Sequence, residues 1–204
     1  MNTKRKIPSF FLPKPLNRNI FLQELKRHGE RENIPNISWE TATILRFFLS
    51  LVKPKKVLEI GCANGFSTVF IADILEEWNG TILSLERSIP SLAQAKENVQ
   101  KAQLHNVSFR FGDALELLEP EDEVFDFIFI DAEKKMTHLF FEMGEQFLAS
   151  GGIVFIDDFR KFPEKMAPFY KMLEEKKETW EMVEIPTEEG DAVMVMTPLS
   201  FPSP

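Results

Sequence analysis

Cysteine is almost missing from this chain: Cys62 is the one cysteine in 204 residues. That excludes an internal disulfide and any zinc site built on cysteines, and it predicts a reducing, cytoplasmic setting. Long apolar runs are missing as well, and no segment reaches the length of a membrane span. Lys4, Arg5 and Lys6 make a basic start, but Pro8, Pro13 and Pro15 break up the residues after it, so no secretory signal is expected. There is no internal repeat and no low-complexity tract. A chain of this length predicts one α/β domain over residues 33–204 with a short basic arm or helix over 1–32.

Positive charge is scarce outside that arm. The net charge is −8, yet residues 1–32 carry eight Lys or Arg against three Glu, which leaves sixteen against twenty-nine for the rest. An acidic body argues against broad nucleic-acid binding. The arm leaves a local exception open, with a solvated arm or a dimer strap as the plainer reading.

What is present centres on Lys56-Val57-Leu58-Glu59-Ile60-Gly61-Cys62-Ala63-Asn64-Gly65-Phe66-Ser67. A buried strand carrying an acid runs into a glycine-bracketed turn and then an apolar helix from Thr68 to Leu75. The glycines allow a sharp turn and close approach of a ligand, and the helix start offers free N–H groups to an anion. The third glycine of the dinucleotide pattern is missing, and Glu59 would repel a pyrophosphate. An amino-acid ligand suits the turn better, with its ammonium for Glu59 and its carboxylate for the helix end. Twenty-one residues past Gly65, strand Thr81-Ile82-Leu83-Ser84-Leu85 ends in Glu86, where an acid accepts from ribose hydroxyls. An amino acid joined to a nucleoside is S-adenosylmethionine.

Strands are predicted at 56–60, 81–86, 107–112, 125–130, 152–157, 180–185 and 192–197. Helical patterns at 66–78, 91–104, 135–148 and 163–177 and a short turn at 114–118 separate them, and Ser38 caps an upstream helix reaching Val52. The alternation predicts a mostly parallel sheet with helices on both faces. The short link from Pro186 to Asp191 forces the last strand antiparallel.

The strand Phe125-Asp126-Phe127-Ile128-Phe129-Ile130 delivers Asp131 to the carboxyl edge of this sheet, and strand 152–157 delivers Asp157, followed by Asp158. Three carboxylates at one edge would repel one another, and a hard divalent cation is the expected remedy, Mg²⁺ first with Mn²⁺ or Ca²⁺ as alternatives. Lys134 can reach the same edge. Read separately, Asp131 would be a helix cap, Asp158 a turn former, and Lys134 a solvated lysine.

Over residues 34–198 the chain resembles the small metal-dependent O-methyltransferases, which include catechol and caffeoyl-CoA O-methyltransferases and bacterial tRNA 5-hydroxyuridine methyltransferases. The resemblance rests on Ile34-Pro35-Asn36-Ile37-Ser38, the glycine turn, Phe111-Gly112-Asp113-Ala114, Ile130-Asp131-Ala132-Glu133-Lys134, Gly151-Gly152, Asp157-Asp158 and Gly190-Asp191. It implies a Rossmann-like methyltransferase fold of seven strands and a homodimer. It also implies that Glu59, Gly61, Ser67 and the Ile37 backbone hold the methionine part, with Ala63, Gly65 and Asp131 lining the donor. Glu86 would hold the ribose, and Asp113 with Ala114 the adenine. Asp131, Asp157 and Asp158 would bind the metal, with Lys134 as general base. Asp158 stands where the family usually has Asn, Thr137 replaces a common tyrosine, and Phe159-Arg160-Lys161-Phe162-Pro163 lacks the usual substrate-loop pattern.

The expected reaction is methyl transfer to a hydroxyl of a small catechol-like or other ring acceptor. A phenol titrates near ~10, and a bound metal with Lys134 would help remove its proton. The alternatives are a tRNA-modifying methyltransferase using the basic arm with Arg160 and Lys161, and a non-catalytic S-adenosylmethionine-binding protein. A nicotinamide dehydrogenase is disfavoured by Glu59.

Overall fold

The computed structural model describes residues 18–119 and 124–199, so the basic start and its prolines lie outside the described residues. Two helices, α1 (Asn19–Glu32) and α2 (Trp39–Val52), precede an alternating series. That series runs β1 (Lys56–Ile60), α3 (Phe66–Leu75), β2 (Thr81–Glu86), α4 (Ile89–Lys101), β3 (Val107–Phe111), α5 (Ala114–Leu117) and β4 (Phe125–Ile130). It continues with α6 (Thr137–Gln146), β5 (Leu148–Ile156) and α7 (Pro163–Lys176), and closes with β6 (Trp180–Pro186) and β7 (Ala192–Pro198). Ser38 caps α2 as expected, its hydroxyl accepting the Thr41 N–H at 2.9 Å.

The seven strands form one sheet in the order β3-β2-β1-β4-β5-β7-β6. Neighbours from β3 to β5 pair parallel, and β7 pairs antiparallel with both β5 and β6. The antiparallel strand therefore lies inside the sheet, and β6 forms its edge. Composition explains the order: Ala192 to Met196 are all buried, whereas β6 carries Glu181 and Glu184 on a half-exposed strand.

Period-two alternation divides the core. Val57, Phe127 and Phe129 face α1–α4 with Leu22, Leu45 and Phe70, while Leu58, Ile60, Ile128 and Ile130 face α6 and α7 with Phe141 and Phe169. The largest departure from the expected boundaries is at β5. β5 begins at Leu148, because a bulge lets Leu148 pair with Phe125 before regular pairing resumes at Ile153. The preceding helix accordingly stops at Gln146. Among the described residues no helix is long and apolar enough to cross a membrane.

Candidate active site

The residues after β1, β4 and β5 continue the sheet's hydrogen bonding and so lie side by side. Gly61 N–H donates to Leu85 O at 2.9 Å, Asp131 N–H to Ile60 O at 3.0 Å, and Asp157 N–H to Ile130 O at 3.2 Å. The glycine turn, Glu86, Asp131, Asp157 and Asp158 thus share the carboxyl edge, where open α/β sheets bind ligands. Gly61 and Gly65 have φ of +88° and +82°, and each is hemmed in by backbone: the Asp131 carbonyl lies against Gly61, and Ala95 of α4 against Gly65.

Glu59, expected at a ligand ammonium, is fully buried under the turn. The hydroxyls of Ser67 and Thr68 donate to it at 2.5 Å each, and that of Ser84 at 2.6 Å. Strand parity is the cause, since Glu59 shares the face of Val57 and points into the start of α3. Burial pushes its pKa up to about 7, against the lowering effect of the three hydroxyls and with a smaller upward push from Asp131. It ties the strand to the helix, and Ser67 is spent on it.

Glu86 meets the turn directly. Its Oε2 accepts the N–H groups of Cys62 and Ala63 at 3.1 Å each, and its Oε1 accepts the Ser88 N–H at 2.8 Å. A carboxylate offers about four acceptor sites, so one remains for a ligand. Asp113 caps α5 through the Leu115 N–H at 3.1 Å, beside buried Ala114, and Gly112 N–H donates to Glu86 O at 3.0 Å. The Ile37 carbonyl accepts from Lys26 Nζ at 2.7 Å.

Lys134 is 9 % exposed and sits among the three aspartates. Its Nζ donates to Asp131 Oδ1 at 2.8 Å and to the Asp157 carbonyl at 3.2 Å, and it lies 3.3 Å from Asp158 Oδ2. Burial alone would lower its pKa, but Asp131, Asp158 and Asp157 together raise it above the ordinary lysine value. Ion pairing of this kind favours the ammonium form of Lys134. Asp157 is buried and raised, by desolvation first and by its two acidic neighbours next.

Of the expected metal ligands, Asp131 and Asp158 face an ammonium, and among the described residues no group of three or more His, Cys, Asp or Glu is placed to hold a metal ion. The cation between these carboxylates is an ammonium. Asp158 pairs with a second lysine, Lys161, at 2.9 Å, and Thr41 donates to Asp157 Oδ1 at 3.2 Å.

A family model described as O-methyltransferase matches residues 16–164, a stretch that holds the turn, Glu86, Lys134 and all three aspartates. The chain belongs to the O-methyltransferase family. A catechol O-methyltransferase of Niastella koreensis is 30% identical over 128 residues, covering 60% of this chain and 58% of that protein. A caffeoyl-CoA O-methyltransferase of Zinnia elegans is 34% identical over 122 residues, covering 55% and 49%. The match thus spans about half the length of these curated relatives. The O-methyltransferase TomG of Streptomyces achromogenes, solved with S-adenosylmethionine, superposes with a TM-score of 0.79 at 19% identity over 94% of this chain and 95% of TomG. A Bacillus cereus O-methyltransferase solved with S-adenosylhomocysteine gives 0.77 at 24% identity, covering 93% of each chain. These likenesses establish the Rossmann-like methyltransferase fold.

Within this O-methyltransferase chain, sequence reasoning gave no role to Thr41 or Asp191 and missed the place of Lys161. Asp191 Oδ1 accepts the N–H groups of Arg160, Lys161 and Ala192 at 2.9, 3.1 and 2.7 Å. The available signal was spacing, since Lys161 stands three residues after Asp158 in a turn.

Proposed function

We propose that this chain transfers the S-methyl group of S-adenosylmethionine to a hydroxyl of a small ring acceptor. The junction between the Gly61–Gly65 turn and Glu86 carries the reading: a glycine turn, a helix start and a carboxylate with an acceptor site to spare meet at one sheet edge. In this reading the turn and the N-terminus of α3 hold the donor's carboxylate. Asp131, more open than Glu59, takes the ammonium. Glu86 takes a ribose hydroxyl, and Asp113 with Ala114 border the adenine.

The acceptor oxygen lies beside the Lys134 ammonium. A phenol titrates near ~10 in water, and an adjacent positive charge lowers that value. The proton leaves to solvent, the oxygen attacks the methyl carbon, and the sulfur–methyl bond breaks as the oxygen–methyl bond forms. S-adenosylhomocysteine and the methyl ether are the products. Lys134 acts by electrostatics, holding charge where it develops. The names of the catechol and caffeoyl-CoA relatives point the acceptor toward a catechol or hydroxycinnamoyl ester.

The test is methyl transfer from labelled donor to catechols, hydroxycinnamoyl-CoA esters and undermodified tRNA, with and without Mg²⁺, alongside donor binding by calorimetry. Label in a phenolic ether supports the reading. Label in tRNA alone would move the acceptor to RNA and the basic arm. Donor binding without transfer would leave a binding protein, and absent donor binding sinks the proposal. A homodimer is part of the same proposal, and sedimentation of the full chain tests it.

A further inference from the structure

We propose that the three aspartates at the ends of β4 and β5 are closed to divalent cations by the chain's own lysines, with Lys161 as the residue that closes them. Asp158 is the pivot. Its Oδ1 lies 2.9 Å from Lys161 Nζ and its Oδ2 3.3 Å from Lys134 Nζ, so an ammonium stands at each oxygen. Lys134 also reaches Asp131 Oδ1 at 2.8 Å, and Asp157 Oδ1 already accepts the Thr41 hydroxyl at 3.2 Å. The carboxylates of Asp131 and Asp158 thus meet two ammonium groups within ion-pair distance, with Asp157 held by the Thr41 hydroxyl and Lys26 as a further positive neighbour.

Lys161 is held in place. Asp191 accepts its N–H and that of Arg160, which fixes the turn after Asp158 against the start of β7. Asp158 itself turns in the left-handed region at φ 54°, so the chain doubles back and sets Lys161 over its carboxylate. A hard divalent ion needs uncompensated carboxylate charge and several free oxygens around it. Here both oxygens of Asp158, one of Asp131 and one of Asp157 are already engaged by groups of the chain. Lys161 thereby decides which kind of cation serves this edge, an ammonium in place of a metal.

The experiment titrates Mn²⁺ into the full chain and reads free Mn²⁺ by electron paramagnetic resonance, with circular dichroism as the check on folding. Wild type is expected to show no saturable binding at sub-millimolar Mn²⁺. Lys161→Met, at a half-exposed position, is expected to gain one-to-one binding, and Lys161→Met with Asp158→Asn to lose it again. Saturable binding by wild type that Asp158→Asn abolishes would overturn the proposal, as would a folded Lys161→Met that gains nothing. The catalytic consequence, equal methyl transfer in chelator and in Mg²⁺, rests on the proposed function, and transfer lost in chelator and restored by Mg²⁺ would also overturn it. Donor affinity, measured on the same samples, separates the two claims: its absence sinks the methyl-transfer reading and leaves the Mn²⁺ result standing.

Discussion

Lys134 Nζ lies 2.8 Å from Asp131 Oδ1, and in the proposed reading this ion pair joins the donor side of the edge to the acceptor side. Lys134→Met keeps most of the apolar stem and removes the charge. Three aspartates then face one another with less compensation, and the loss of one partner from a buried pair predicts about 3 kcal/mol of destabilisation in urea titrations. Donor affinity should hold, because Asp131 is left freer for the donor's ammonium. Turnover should fall by about 100-fold, the scale for removing a group that stabilises a developing oxyanion. Full turnover in a folded Lys134→Met would take Lys134 out of the acceptor's surroundings.

Glu59 predicts an opposite kind of pH dependence from an ordinary paired carboxylate. Its folded pKa of about 7 stands above the reference value of 4.5. Across that window the folded chain holds a proton that the unfolded chain has released, so stability is full below the window and declines as pH rises through it. Above the folded pKa the contribution stays constant. The whole window corresponds to about 3 kcal/mol. Glu59→Gln keeps a carbonyl for the hydroxyls of Ser67, Thr68 and Ser84 and cannot ionise. Urea midpoints at about pH 5 and about pH 8 should show wild type losing stability relative to Glu59→Gln, and parallel changes in the two proteins would refute the assignment.

The same glutamate shows where sequence reading stopped. Strands such as Lys56–Ile60 and Phe125–Ile130 were legible because both faces are buried and the apolar run is continuous. The face of a single polar residue within such a run was also legible in principle. Glu59 is two residues from Val57, and the hydroxyls of Ser67, Thr68 and Ser84 were partners in waiting. The early start of β5 was not legible: Ala149-Ser150-Gly151-Gly152 has little strand character, and its pairing is imposed by β4. Among the aspartates, the sequence showed a charge imbalance and the metal was its simplest remedy. The remedy that the fold supplies, two lysines from different turns, depends on where Asp191 pins the backbone of Lys161.

Glu86 should matter twice, to the turn and to the donor. Glu86→Ala leaves the N–H groups of Cys62, Ala63 and Ser88 without their acceptor, and it removes the remaining site for a ribose hydroxyl. Calorimetry should show donor affinity weaker by about 1–3 kcal/mol, the range for losing a hydrogen-bonded charged partner. An unchanged affinity in a folded variant would remove Glu86 from the ribose role.

Glycine replacements separate backbone strain from crowding. Gly151→Ala is the reference: φ is +74° and nothing lies within 4 Å of the added carbon, so only the left-handed conformation costs, about 1–2 kcal/mol. Gly65→Ala adds contact with Ala95 Cα at 2.9 Å, which presses α3 away from α4. Gly61→Ala adds a carbon against the Asp131 carbonyl, and Asp131 is held against the turn by its own N–H, which is bonded to Ile60 O at 3.0 Å. Thermal and urea stability should therefore fall in the order Gly151→Ala, Gly65→Ala, Gly61→Ala, with the last the least stable. Donor affinity should be untouched in Gly151→Ala and lost in Gly61→Ala, where the turn and the Asp131 backbone are forced apart. A Gly61→Ala chain that folds and binds donor as well as wild type would show that the turn does not approach a ligand at all.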